Sequence, residues 1–196
     1  MKLLKPILLT ILATTLLFAA PATKLTKEEK QIKETIELGN KSSKILLETL
    51  QRNIKKHMEK GGVMKAFDFC SEEAFNLTKK TNKKLQKNVS VKRISSKYRS
   101  PANAPKNDEV AVLESFESMI KANEALPEYV VKKIDSLTYK YYKPLVIEDK
   151  VCLECHGKVY KNIDLRRKVA EVYPLDRAVG YEMGDLRGAV VVTVQH

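Results

Sequence analysis

The residues most able to do chemistry in this chain are consecutive: Cys152-Leu153-Glu154-Cys155-His156. Two thiols separated by two residues, with an imidazole directly after, match the attachment site of a c-type haem. The chemistry explains the spacing. Each thiol adds to one of two vinyl groups on the porphyrin edge, and two intervening residues let the chain turn between those points. The adjacent imidazole is then delivered under the iron as an axial ligand. Gly157 follows, letting the chain leave a crowded edge without a Cβ. Three other readings use the same residues. A thioredoxin-like dithiol sits near the start of a βαβ unit, and no such unit is visible here. A zinc site needs a second ligand pair, and only Cys70, His57 and His196 remain, at irregular spacing. A structural disulfide suits any oxidising compartment.

The N terminus separates these readings. Lys2 and Lys5 form a basic start, Ile7 to Phe18 is apolar apart from three threonines, and Ala20-Pro21-Ala22 supplies a small-x-small cleavage pattern. The apolar run is short for a full membrane span, and no cysteine near the cut suggests a lipoprotein. Residues 1–22 therefore read as a signal peptide, which places the mature protein in the periplasm. Haem is attached to such motifs after export, so one covalent haem c becomes the leading cofactor expectation.

Thioether formation consumes two of the three cysteines and leaves Cys70. A free thiol in an oxidising compartment is a liability unless buried or used. Cys70 falls on the apolar face of an expected helix, with Ala66 and Ala74 four residues to either side. A cysteine ligand is short and brings its helix close to the porphyrin, an approach that alanines one turn away permit. The same pattern suits an ordinary buried cysteine acting as a small hydrophobe. His57, near Ile54 and Met58, is another candidate for the sixth iron position. His196 is terminal and expected to fray. Met64, Met119 and Met183 suit packing, and an open sixth position is a further alternative.

The elements that must position these residues follow from periodicity. Ile32, Ile36, Leu46, Leu50, Ile54 and Met58 recur at helical steps over 25–60, with Gly39 and Ser43 in the thin middle of the stripe. Gly61-Gly62 reads as a stop, and a second helix is expected from Val63 to Leu85. A strand is expected over 89–94, then a Pro-fixed loop over 100–105. Asn107 or Asp108 can cap a third helix. Strands over 129–134 and 137–147, a Cys-rich turn at 152–157, a short helix at 163–172 and a strand over 188–194 complete the pattern. Gly180, Gly184 and Gly188 read as turn residues before that last strand. Helices first, strands later and no βαβ alternation imply an α+β fold with an antiparallel sheet. The expected layout is a signal peptide at 1–22, an N-terminal helical segment at 23–62 and a haem-bearing domain at 63–196.

Composition limits the function classes. With 43% hydrophobic and 31% charged residues, and only 7 Gly and 7 Pro among 196, the chain is neither disordered nor fibrous. Its net charge of +12 is mostly lysine spread along helices, without interleaved aromatic platforms. With export, that argues against nucleic acid and for an acidic protein partner or peripheral contact with anionic lipid. The lysines at 79, 80, 83, 84 and 87 read as a solvated helix end that suits the helix dipole. The long N-terminal stripe is a candidate homodimer surface.

From about Phe67 to Val194 the chain resembles a family of exported haem c-binding sensor domains with a PAS-like fold. Five ordered blocks carry the likeness: Ala66-Phe67-Asp68-Phe69-Cys70 with Ala74; Val91 to Pro105 with Glu109; Tyr141 to Leu145; Cys152 to Gly157; and Tyr173 to Tyr181 running into Gly184 to Ala189. Ser100 stands where the family usually has Asn before the proline, and Asp108 where it often has an aromatic. The resemblance implies a PAS-like antiparallel sheet behind a long N-terminal helical segment, with His156 and Cys70 as the two axial ligands. Haem propionates need cations or donors, which makes Arg93, Arg99 and Tyr142 the candidates beside that ligand set.

These readings point to a haem-binding redox or gas sensor module with His/Cys ligation, rather than an enzyme. No distal acid–base pair of the kind a haem peroxidase needs is evident, and two protein ligands would close the iron. A diatomic gas is a candidate ligand, and the signal would pass to a separate redox or signalling partner. The alternative is a small electron-transfer cytochrome c, whose ligation would not change on reduction.

Overall fold

The computed structural model describes residues 24–158 and 162–196; the signal-peptide reading of 1–22 lies outside them. The first element, α1 (Lys27–Glu72), starts at a reciprocal cap. Thr26 Oγ1 accepts the Glu29 amide at 3.2 Å, and the Glu29 carboxylate accepts the Thr26 amide at 2.7 Å. The helix runs on past the expected stop. Gly61 and Gly62 leave helical geometry, with Gly62 at φ +65°, but they bend the helix instead of ending it. Burial of Ala66, Phe67 and Phe69 beyond the bend holds its last turns, so packing outweighs the intrinsic cost of the two glycines. The break comes at Glu73, after which α2 (Ala74–Lys84) begins.

Four strands form one antiparallel sheet: β1 (Val89–Ile94), β2 (Val130–Lys133), β3 (Thr138–Val146) and β4 (Leu186–Gln195), in the order β1-β4-β3-β2. Helix α1 lies on one face over Tyr141, Val190, Val192 and Val194; α3 (Asn107–Lys121) lies on the other over Tyr142, Ala189 and Val191. The valine run of β4 is buried because both faces are covered. This is the expected α+β architecture, with the N-terminal helical segment sharing the sheet's core. Among the described residues no helix is long and apolar enough to cross a membrane.

The buried line of α1 differs from the expected stripe. It comprises Gln31, Thr35, Gly39, Ser42, Ser43, Leu46 and Leu50, while Ile32 and Ile36 sit half-buried beside it. The reason is distance. A Cβ added at Gly39 would lie 2.3 Å from the Tyr141 ring, so this part of the helix approaches the sheet through small side chains. Tyr141 donates its hydroxyl to Asn40 Oδ1 at 2.6 Å. His196 is held rather than frayed: its ring meets Thr35 Oγ1 at 2.9 Å and Glu34 at 3.3 Å, against Tyr139.

On the other face, Lys106 rather than Asn107 or Asp108 occupies the cap position of α3. Glu109 explains the change. It is fully buried, accepts the Lys106 amide at 2.9 Å and pairs with Lys92 at 2.7 Å and Lys140 at 3.2 Å. Burial pushes its carboxyl up, but the Lys106 amide and the Lys92 ammonium outweigh this and leave it below the ordinary value.

This packing can be probed at Gly39 and at Glu109. Helix propensity alone favours Gly39→Ala by about 1 kcal/mol, whereas overpacking against Tyr141 costs about 1–3 kcal/mol. The urea midpoint should therefore fall; a rise would refute the contact. Glu109 has a depressed folded pKa, so its contribution is present above the unfolded value of about 4.3 and is lost as pH falls through the folded one. Glu109→Gln should cost about 3 kcal/mol at neutral pH and flatten the acid limb of the stability curve. Parallel stability-versus-pH curves for the two proteins would contradict this.

Candidate functional site

The Cys-rich segment is a helix, not a turn: α4 (Lys150–His156). Asp149 caps it by accepting the Val151 amide at 2.9 Å, and Gly157 closes it, its amide donating to Leu153 O at 2.9 Å. A Cβ at Gly157 would lie 2.7 Å from Leu153 O. In a helix, positions i, i+3 and i+4 share one face, which groups Cys152, Cys155 and His156. Cys152 packs toward Ile147, Ala178 and Tyr181. Cys155 packs toward Phe67 of α1 and toward Leu165 and Val169 of α5 (Ile163–Val172). Burial pushes the Cys155 thiol up to about 11, and the Cys152 thiol upward too.

His156 is oriented through its backbone-facing nitrogen. Nδ1 lies 2.9 Å from Ala178 O. A carbonyl can only accept, so the proton sits on Nδ1 and Nε2 carries the lone pair, the tautomer a metal ligand requires. Burial, followed by the positive charges of Arg187 and Arg99, holds the imidazole well below its ordinary pKa. It is a neutral donor at neutral pH.

Arg99 is the clamp that sets this geometry. One terminal nitrogen donates to Cys155 O at 2.8 Å, Asp176 Oδ2 at 3.1 Å and Ala178 O at 3.2 Å. Asp176 also accepts the Ala178 amide at 2.9 Å. The Tyr181 amide meets His156 O at 3.0 Å and the Gly180 amide meets Gly157 O at 2.9 Å. Two segments far apart in sequence, the loop after β1 and residues 176–181, thus converge on the end of α4. Arg99 Nε is buried without a hydrogen-bond partner. Beyond Gly157 lies a cleft of about 360 Å³ walled by Val169, Tyr173, Pro174 and Val179.

Cys70 stands near the end of α1, with Ala66 and Phe67 buried beside it, yet its own side chain is exposed. The ordinary buried cysteine is therefore not what the structure shows. Desolvation by the surrounding walls still raises the thiol, opposed by the positive charges of Arg93 and Arg99. Cys70 also acts electrostatically on Cys155, so the third cysteine belongs to the neighbourhood of α4.

The remaining candidates divide by sheet face. Arg93 shares the face of Val89 and Val91, beside Cys70 and Tyr173. Tyr142 does not: it is buried on the α3 face, with its hydroxyl 3.5 Å from Asp108 Oδ2. A one-residue difference in strand position inverts the face, which removes Tyr142 from this cluster. His57 stacks on Phe69 at 4.8 Å with Nδ1 2.7 Å from Asn53 O. Met64 packs near Phe67, while Met183 is exposed.

Sequence reasoning missed Arg187. The β3–β4 register pairs Leu145 with Gly188 but Val146 with Leu186, leaving Arg187 as the extra residue of a bulge. The bulge puts Leu186 with the α3-face cluster and lets Arg187 reach Ser95 Oγ at 2.8 Å and lie over the Tyr181 ring at 5.3 Å. Gly188 is a strand residue with φ +149°, not a turn residue, and a Cβ there would meet Ile94 O at 2.1 Å. A bulge depends on register, which a single strand does not reveal.

An α+β domain with one long helix over a four-stranded sheet and a Cys/His/Arg cluster at its edge is thus the class of molecule defined. The Tll0287-like family model matches residues 23–195, and the chain belongs to that family. Its structure is similar to the crystal structure of the cyanobacterial haem protein Tll0287, with a TM-score of 0.58 and 24% identity. The likeness covers 82% of this chain and 95% of that one and is a likeness of fold. No curated protein matches the chain.

The clamp is testable by hydrogen exchange. Arg99→Gln should speed exchange at the Gly180 and Tyr181 amides while leaving Val191 and Val192 in the central strand protected. Equal protection of the 178–181 segment in both proteins would show that Arg99 does not hold it.

Proposed function

We propose that this is an exported, periplasmic haem protein that carries one haem c on Cys152 and Cys155, ligated by His156 and Cys70. The observation that carries the reading is the tautomer of His156: Nδ1–H is tied to Ala178 O, and Nε2 is unprotonated beside two thiols of the same helix face. The donor set fits the group. A neutral imidazole and an exposed thiol near three arginines suit a ferric iron with a thiolate ligand. The haem character of the family's cyanobacterial relative supports the same reading.

Bound haem supplies a one-electron centre whose potential depends on its axial ligands. The chain's own residues supply the rest. Arg99, Ala178 and Asp176 fix the His156 ring. Phe67, Leu165 and Val169 exclude water on the Cys155 side. Cys70, raised by desolvation, holds its proton at neutral pH whenever it is not a ligand. A donor that can be engaged or protonated is a two-state element, as a redox or gas sensor in a PAS-like domain requires. A small electron carrier would instead keep one ligation state. The exposed lysines suit an acidic redox or signalling partner.

Haem should remain on the chain through acid-acetone extraction and denaturing electrophoresis. The oxidised protein should be low-spin with thiolate character, and Cys70→Ala should turn it high-spin or water-ligated and raise its potential, with the haem still attached. CO binding to the reduced protein supports the sensor; reduction without ligand exchange or CO binding supports the carrier. Freely extractable pigment would overturn the whole reading, and an unchanged Cys70→Ala spectrum would move the sixth ligand elsewhere, with His57 next to test.

A further inference from the structure

A haem on α4 leaves a question of charge, and any answer to it rests on the proposed haem function. Three arginines act on the ligand cluster, but they are not equivalent. Arg99 is ion-paired with Asp176 and spends a nitrogen on the clamp. Arg93 and Arg187 have no carboxylate within 4 Å among the described residues. Arg187 donates to neutral acceptors only, Ser95 Oγ at 2.8 Å and Lys97 O at 3.3 Å. For Arg93 no hydrogen-bond partner is found among the described residues. Both side chains are half-buried, and their like charges repel each other.

Two half-buried guanidinium groups of one sign are costly to fold together unless an anion accompanies them. The neighbours do not supply enough charge. His156 is neutral, Tyr173 is a phenol, Asp176 acts on Arg187 but is ion-paired with Arg99, and a Cys70 thiolate would contribute one charge already committed to iron. The fold nevertheless invests in the arrangement. Arg93 lies on β1 opposite Val190, and Arg187 stands at a bulge of the adjacent strand that needs Gly188 against Ile94 O. A bulge placed beside a functional cluster re-aims a side chain. Guanidinium groups bind carboxylates in bidentate fashion, and a dicarboxylate would neutralise both at once.

We infer that Arg93 and Arg187, on neighbouring strands, are the paired cations that hold the two propionate carboxylates of the haem. Arg99 and Tyr142 are excluded from this role, the first by its clamp and the second by its sheet face. The pair also favours the reduced iron, because two nearby positive charges oppose the charge of the ferric state.

The test uses the haem-loaded protein. Arg93→Gln and Arg187→Gln should each shift the Fe(III)/Fe(II) equilibrium about tenfold toward Fe(III), the scale of one charge about 10 Å away at an effective dielectric near 20. For a one-electron couple that is a fall of about 59 mV. Each variant should also gain a pH-dependent segment of the potential, because a propionate without its guanidinium titrates closer to neutrality. Arg93→Lys should restore part of the shift. Arg52→Gln, an exposed change on α1 before the bend, should leave potential and pH profile unaltered. Should a glutamine variant fail to fold, resonance Raman of Arg93→Lys must still show a displaced propionate-bending band. Potentials and pH profiles equal to the parent's in both glutamine variants would overturn the inference, as would an equal shift in Arg52→Gln. A shift that appears only in phosphate buffer would assign the pair to a free anion and also overturn it. Loss of haem staining from the denatured parent chain would instead refute the underlying haem reading.

Discussion

The contact between α1 and the sheet is the constraint on which the rest of the structure depends. A helix of 46 residues can reach about 69 Å, far more than one face of a four-stranded sheet needs. It is seated by small residues, with Gly39 directly over the Tyr141 ring and Asn40 accepting the tyrosine hydroxyl. That seat sets both the height and the rotation of the helix. The bend at Gly61 and Gly62 then turns its last turns toward α4 and α5. Cys70 is carried to the site by this lever, so the position of a thiol depends on a glycine 31 residues upstream.

The electrostatics of this half-buried site are unbalanced. Cations outnumber anions around a neutral imidazole and three thiols, and Asp176 is the carboxylate committed to Arg99. Elsewhere the fold balances buried charge closely, as Glu109 does between Lys92 and Lys140 on the opposite face. Within one small domain a charge-balanced ion-pair network thus stands beside a cluster with excess positive charge.

Long-range hydrogen bonds hold that cluster together. Arg99 comes from the loop after β1, Cys155 from α4, and Asp176 and Ala178 from the segment before β4. None of these elements could orient His156 alone. The backbone bonds between 156–157 and 180–181 add two further ties. Short-range helical geometry and these ties specify the same ring orientation.

The sequence by itself determined the α+β class and most of the element order, because both rest on local spacing. Alternation marked β1, the apolar stripe marked α1 and the valine run marked β4. Local spacing even contained the helix of α4, since positions 152, 155 and 156 share a helical face. What only the tertiary structure decided depends on register and on approach distance. Tyr142 lost its place because one step along β3 reverses the face, and Arg187 gained one because a bulge shifts the pairing of β4. The line of α1 that is buried was decided by Tyr141, whose ring admits a glycine and no Cβ. A strand or helix read alone carries its period but not its phase against a partner, and phase is what selects which side chains meet.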